Sequence, residues 1–121
     1  MPMSRAIVLF GHGSRDPLWR LPMETVATRL RHLSPGTPVR CAFLELEAPG
    51  LPEAAGTLVA QGASQVTIVP MFLGTGRHAR EDLPALVRQL EATHPAVAFV
   101  LQKPVGEDGR VLELIAQIAL E

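Results

Sequence analysis

"RAIVLFGHGSR" (residues 5–15) runs from an arginine through an unbroken apolar stretch into a loop where His12 stands between two glycines. A short, partly β-branched apolar run that stops on glycine reads as a buried strand, here 5–10, delivering the chain to polar chemistry. The same form returns in "QVTIVPMFLGTGRH" (65–78), where the run 65–73 gives way to Gly74 and Gly76 and then His78. Two more runs of this kind, "PVRCAFL" (38–44) and "AVAFVLQ" (96–102), complete a set of predicted strands. Between and after them lie stretches with helical spacing at 19–33, 51–62, 80–95 and 108–121. In the first, Leu21, Val26, Leu30 and Leu33 fall at helix-compatible intervals. Gly62 suits the position just past a helix end. Pro22 and Pro84 suit first turns, where a missing N–H costs little.

Strand followed by helix, repeated through the chain, predicts an α/β fold with a parallel sheet covered on both faces and right-handed crossovers. The expected architecture is one domain over residues 1–121, a three-layer α/β/α sandwich with a four-stranded parallel sheet in flavodoxin-like strand order. A length of 121 residues fits a single domain, and 47% hydrophobic content is that of a folded chain. The net charge is -1, the only lysine is Lys103, and aromatic residues are sparse, so neither a phosphate footprint nor stacking platforms for nucleic acid are on offer. Cys41, the only cysteine, sits in an apolar run and reads as a buried inert thiol in a reducing compartment. No segment approaches the roughly 18 apolar residues of a membrane span. The expectation is a soluble cytoplasmic protein with neither membrane nor nucleic acid as partner.

In open α/β sheets, ligands bind beyond the carboxyl ends of the strands where strand order reverses. In flavodoxin-like order the first and third strands flank that point, so His12 and His78 leave neighbouring strand ends about 4.8 Å apart. Glu45, just past the second strand, opens the next loop on the same rim. Two imidazoles with a carboxylate nearby suit a divalent transition metal. A histidine in a glycine-flanked loop also serves as a plain polar turn residue, and Glu45 and Glu47 also fit as solvated loop charges. His32 and His94 sit near predicted helix ends, where solvation or the helix dipole accounts for them. Ser14 at a predicted helix start fits either a phosphate-binding N-terminus or a simple cap. The G-x-S-x-G elbow and the P-loop lysine are both missing.

Taken together, "GHGSR" after the first strand, "FLELEAP" after the second, "VPMFLGTGRH" followed by "DLP" after the third, and "KPVGEDGRV" near the end resemble the small CbiX-type sirohydrochlorin chelatases, class II chelatases of cobalamin and sirohaem synthesis. The resemblance runs over nearly the whole chain in the right order. It implies a flavodoxin-like domain that inserts Co(II), and in related enzymes Fe(II) or Ni(II), into sirohydrochlorin without ATP, with no cofactor beyond the metal-ion substrate. It also implies a homodimer that mimics the two fused domains of longer relatives. His12 matches the histidine implied to bind metal and accept a proton, and His78 matches the second metal-binding histidine. Glu45 matches the recurrent acidic residue implied to act in catalysis. Leu73, Gly74, Thr75, Gly76 and Arg77 match the loop lining the macrocycle, with Glu47 a further candidate substrate contact. Ala48 stands where many relatives carry a glutamate before the proline.

Metalation replaces two pyrrole N–H protons by one divalent ion. Neutral imidazole holds borderline metals reversibly, and its pKa of about 6.5 suits proton acceptance near neutrality. Arg15, Arg77 and Arg80 are candidate clamps for the carboxylates of such a substrate. Met71, Phe72 and Leu73 fit either as apolar walls or as core. Two other readings stay open from the residues: a metal or tetrapyrrole carrier without turnover, and a flavodoxin-like module for a phosphorylated ligand.

Overall fold

The fold is that of a computed structural model, in which residues 4–121 are described, the side chain of His78 excepted. The strands are β1 (Arg5–Gly11), β2 (Val39–Phe43), β3 (Gln65–Pro70) and β4 (Ala98–Leu101), and the helices α1 (Leu21–Leu33), α2 (Leu51–Ala60), α3 (Arg77–Thr93) and α4 (Gly109–Ala119). All strand pairs are parallel, in the order β2-β1-β3-β4, so the expected reversal falls between β1 and β3. β1 is central: Val8 faces Arg40 on one side and Ile68 on the other. Pro70 closes β3, and the next amide, Met71 N–H, donates to Phe10 C=O at 2.7 Å.

Alternation along the strands sorts the core into two layers. Ala6, Val8, Phe10, Val66 and Ile68 pack under α2 and α3 with Leu51, Leu58, Leu83, Val87 and Leu90. Leu9, Val39 and Phe43 point the other way, onto Met23 and Ala27 of α1. The α1 stripe therefore differs from the expected one. Met23, Ala27 and the half-buried Leu30 face the sheet, whereas Leu21, Val26 and Leu33 are exposed. Small and flexible side chains let α1 lie close over β1 and β2, and among the described residues no neighbouring element covers Leu21, Val26 or Leu33.

Gly62 acts as expected. At φ +102 it follows the end of α2, its N–H donates to Val59 C=O, and Ala63 N–H donates to Leu58 C=O, the paired bonds that close a Schellman motif. Pro22 lies in the first turn of α1. Pro84 does not lie in a first turn, because α3 begins at Arg77 with Gly76 as N-cap and carries Pro84 in its interior. Such a proline costs about 3 kcal/mol; burial of Leu83, Val87 and Leu90 on the sheet offsets that cost. The early start also moves His78 from a loop into the first helical turn. Ser14 likewise is no helix cap. It lies in a loop, where its hydroxyl accepts from Asp16 N–H at 3.0 Å, and α1 starts at Leu21.

α4 follows a 3-10 turn, Val105–Glu107. Asp108 caps it, accepting from Arg110 N–H at 2.8 Å and from the Arg110 guanidinium. The guanidinium holds the Asp108 carboxyl well below the usual carboxylate range. The cap is therefore charged at all ordinary pH and weakens only as the pH falls below about 4. No residue of α4 is buried. Among the described residues no helix is long and apolar enough to cross a membrane.

Candidate active site

The site is assembled by stitching three loops together at the carboxyl ends of β1, β2 and β3. The loop after β2 lies along the loop after β1, with Leu44 N–H donating to Gly11 C=O at 2.9 Å and Glu45 N–H to His12 C=O at 3.1 Å. Gly13 makes that approach possible. Its φ is +99, and a Cβ there would stand 1.8 Å from the Glu45 carbonyl oxygen. The result puts His12 Nε2 3.7 Å from Glu45 Oε1, with both side chains more than half exposed. Phe72, from the loop after β3, is buried on Phe10 and meets the His12 ring edge to face at 6.0 Å. One histidine thus sits on an aromatic floor with a carboxylate beside it and its other side open.

His78 is brought to the neighbouring strand end as the second residue of α3. Its side chain lies outside the described residues, so the expected imidazole pair is carried by backbone placement alone. Among the described residues no group of three potential metal ligands converges.

The loop 73–77 flanks His12 and divides by role. Leu73 is 67% exposed, whereas Phe72 belongs to the core and Met71 is half-buried against the α1 layer, so one of the three expected apolar walls projects. Thr75 holds its Oγ1 inward without a hydrogen-bond partner. Gly74 and Gly76 are exposed, and Arg77 pairs with Glu81 at 3.3 Å. Behind the loop, Gly106 N–H donates to Phe72 C=O at 2.9 Å, and a Cβ at Gly106 would collide with the Leu73 carbonyl at 1.7 Å. The "KPVGEDGRV" segment is therefore the buttress of this loop, a role that no periodicity in the sequence signals.

Glu47 takes a different position from Glu45. Its side chain is only 11% exposed and lies 3.8 Å from Arg20, which also pairs with Glu24 at 2.7 Å and stacks on the Phe43 ring at 4.7 Å. Both Glu47 oxygens are buried without a hydrogen bond. Arg20, unremarked in the sequence, anchors the loop that carries Glu45. Between the two glutamates Leu46 adopts φ +66, a left-handed conformation that a branched residue adopts at a cost of about 1–2 kcal/mol. It is also 55% exposed, so the loops after β2 and β3, which lie on either side of the His12 loop in the sheet order, each carry an exposed leucine, Leu46 and Leu73. Leu46 gives no sign of this role in the sequence, because an isolated leucine in a loop carries no pattern.

Arg15 and Arg80 are exposed on the loops and on α3. His32 and His94 fall at helix ends as expected. Cys41 is half-buried on β2, and burial pushes its thiol up. Its alkylation at pH 7.5 is expected to run slower than that of free cysteine. A rate equal to free cysteine would contradict an inert thiol.

The CbiX family model matches residues 6–121. The sirohydrochlorin cobaltochelatase of Methanococcus aeolicus is 25% identical over 91% of this chain and 94% of its own length. Two longer relatives are the sirohydrochlorin cobaltochelatase of Priestia megaterium, 31% identical, and the sirohydrochlorin ferrochelatase of Bacillus subtilis, 32% identical. This chain spans 36% and 43% of their respective lengths. Among solved structures, a CbiX protein from Marinobacter aquaeolei VT8 superposes with a TM-score of 0.82 at 34% identity, covering 95% of this chain and 93% of that one. The sirohydrochlorin chelatase SirB from Bacillus subtilis subspecies spizizenii, in complex with cobalt, gives 0.79 at 30% identity over 95% of this chain and 49% of its own. With its parallel sheet in the order β2-β1-β3-β4 and a histidine at the reversal, this chain belongs to the CbiX family.

Proposed function

We propose that this chain inserts a divalent metal, Co(II) foremost, into sirohydrochlorin without ATP, acting as a cytoplasmic homodimer. The observation that carries the reading is His12: half-exposed, seated on Phe72, 3.7 Å from Glu45, and placed where the strand order reverses. An exposed imidazole offers one metal bond and leaves the remaining positions to the macrocycle, which is what a site that passes a metal on requires. Leu46 and Leu73, exposed on the loops of the neighbouring strands, supply apolar surface suited to a flat ring. As the ion replaces the two pyrrole protons, His12 and Glu45 are the groups in place to receive them. His78 enters as the second imidazole through its position on α3, and Arg77 and Arg80 as partners for substrate carboxylates. Glu47 acts from below, through Arg20, by holding the loop of Glu45. The naming of one relative for cobalt and another for iron keeps Fe(II) as a further substrate of this reading, and the family resemblance adds Ni(II).

The test is anaerobic metalation followed by visible absorption, with Co(II), Fe(II) and Ni(II) compared at equal concentration. The expected result is acceleration over the protein-free rate, greatest with Co(II). Rates equal to the blank with all three ions would overturn the reading.

A further inference from the structure

At the carboxyl ends of β3 and β4, next to the reversal that carries His12, lies a cavity of about 320 Å³. Pro70 and Leu101, the last residues of the two strands, line it together with Leu83 of α3. Its polar lining is Thr75, Arg80, Gln102, Lys103 and Glu107. Apolar walls with a few convergent polar groups are the usual form of a small-ligand pocket. Three features set the chemistry that fits it. The first is charge: Arg80 and Lys103 outnumber Glu107, and among the described residues neither cation is in an ion pair. Asp108, close by in the chain, is already held by Arg110 at 2.7 Å. The second is Thr75, whose Oγ1 is buried without a hydrogen-bond partner although the residue lines the cavity. Such a hydroxyl is costly to leave unpaired, and rotation about χ1 exchanges it with the methyl group. The third is α3, which starts beside Thr75 with no side-chain cap and no acidic residue in its first turn, so its positive end is uncompensated.

We infer that this cavity takes one carboxylate-tipped side arm of the tetrapyrrole, held by Lys103 and Arg80 with the Thr75 hydroxyl as a further donor. Thr75 belongs both to the loop beside His12 and to the cavity lining, so a ring whose nitrogens face His12 extends its edge over the ends of β3 and β4. The cavity lies one to two strand spacings from the reversal, about 5–10 Å, which suits a group carried on the rim of the ring. An aliphatic stem meets Pro70, Leu83 and Leu101, and its carboxylate meets the cations. Lys103 is well placed to serve as a fixed partner. Gln102 N–H donates to Ile68 C=O at 3.0 Å, and Gly106 N–H to Phe72 C=O at 2.9 Å, so the segment carrying Lys103 is tied to the sheet at both ends. Arg77, by contrast, is paired with Glu81 and does not line the cavity. A single anchored arm fixes how the ring is turned about the incoming metal, and it selects against macrocycles without a carboxylate at that edge.

This assignment rests on the proposed chelatase function, and its test is read without turnover. Metal-free sirohydrochlorin is titrated into the protein without oxygen, and quenching of Trp19, the only tryptophan, reports binding. Lys103→Met is expected to raise the dissociation constant about tenfold, and Lys103→Arg to restore it. Thr75→Val should weaken binding by about threefold or more, whereas Thr75→Ser keeps the hydroxyl and the affinity. Lys103 is exposed, so its replacement leaves the core intact. Arg88→Met removes the same charge from an exposed position farther along α3 and should bind as the parent does. In metalation the Lys103→Met defect should appear as a higher KM for sirohydrochlorin, with the KM for Co(II) unmoved. Parent-like binding by Lys103→Met, or an equal loss in Arg88→Met, would overturn the pocket while a metalating parent keeps the chelatase reading. A parent that neither binds nor metalates sirohydrochlorin would overturn both.

Discussion

His12→Ala is expected to lower kcat/KM for metalation of sirohydrochlorin by about 10²–10⁴-fold, the usual worth of a positioned proton acceptor, and to remove an imidazole ligand from the incoming metal as well. The melting temperature should be unchanged. The His12 side chain is 57% exposed, rests on Phe72 without filling the core, and pairs with Glu45 across an open 3.7 Å gap. Because both partners are more than half exposed, the contact itself is worth under ~1 kcal/mol. Glu45→Gln should therefore cost only a few-fold if its role is electrostatic, and far more if it receives a proton. Measuring both variants on one pH series separates these roles. A His12→Ala protein with wild-type rates would remove the imidazole from the mechanism.

Gly13→Ala should be among the most damaging single methyl groups that the molecule could gain. The new Cβ meets a backbone carbonyl at 1.8 Å and the residue must hold φ +99, so neither a rotamer change nor a small shift relieves it. The loops can separate only by breaking the bonds from Leu44 to Gly11 and from Glu45 to His12. The expected loss exceeds ~2 kcal/mol, a fall in Tm of roughly 6 °C or more, with metalation abolished as Glu45 leaves His12. Gly56→Ala is the control. It sits inside α2 with nothing near the added carbon, and should raise stability by about 0.5–1 kcal/mol. Equal melting of Gly13→Ala and the parent would show that the loops are not stitched as described.

What the sequence made legible follows from what periodicity encodes. Short apolar runs, two of them ending on glycine, located all four strands, and the regular alternation of strand and helix implied the parallel order and its reversal beside His12. Ends and faces were harder. α3 takes in Pro84 because burial of its apolar stripe outweighs a local penalty that a window of sequence sees alone. Val26 carries helical spacing yet stays exposed, since spacing shows that a face is apolar without showing what covers it. Glu45 and Glu47 are two residues apart and look equivalent. The left-handed turn at Leu46 sends one toward His12 and the other toward Arg20, a distinction set by backbone conformation. Gly106 is invisible for the same reason, its role being a close approach to a loop some thirty residues away in the chain.

On the proposed function this site turns metal over rather than storing it. The direct measurement supplies sirohydrochlorin and Co(II) in large molar excess over the protein, without oxygen, and counts metalated product per chain. Many equivalents are expected, formed faster than in the protein-free mixture and abolished by His12→Ala. A single equivalent that stays bound, or a rate no faster than the blank, would contradict it.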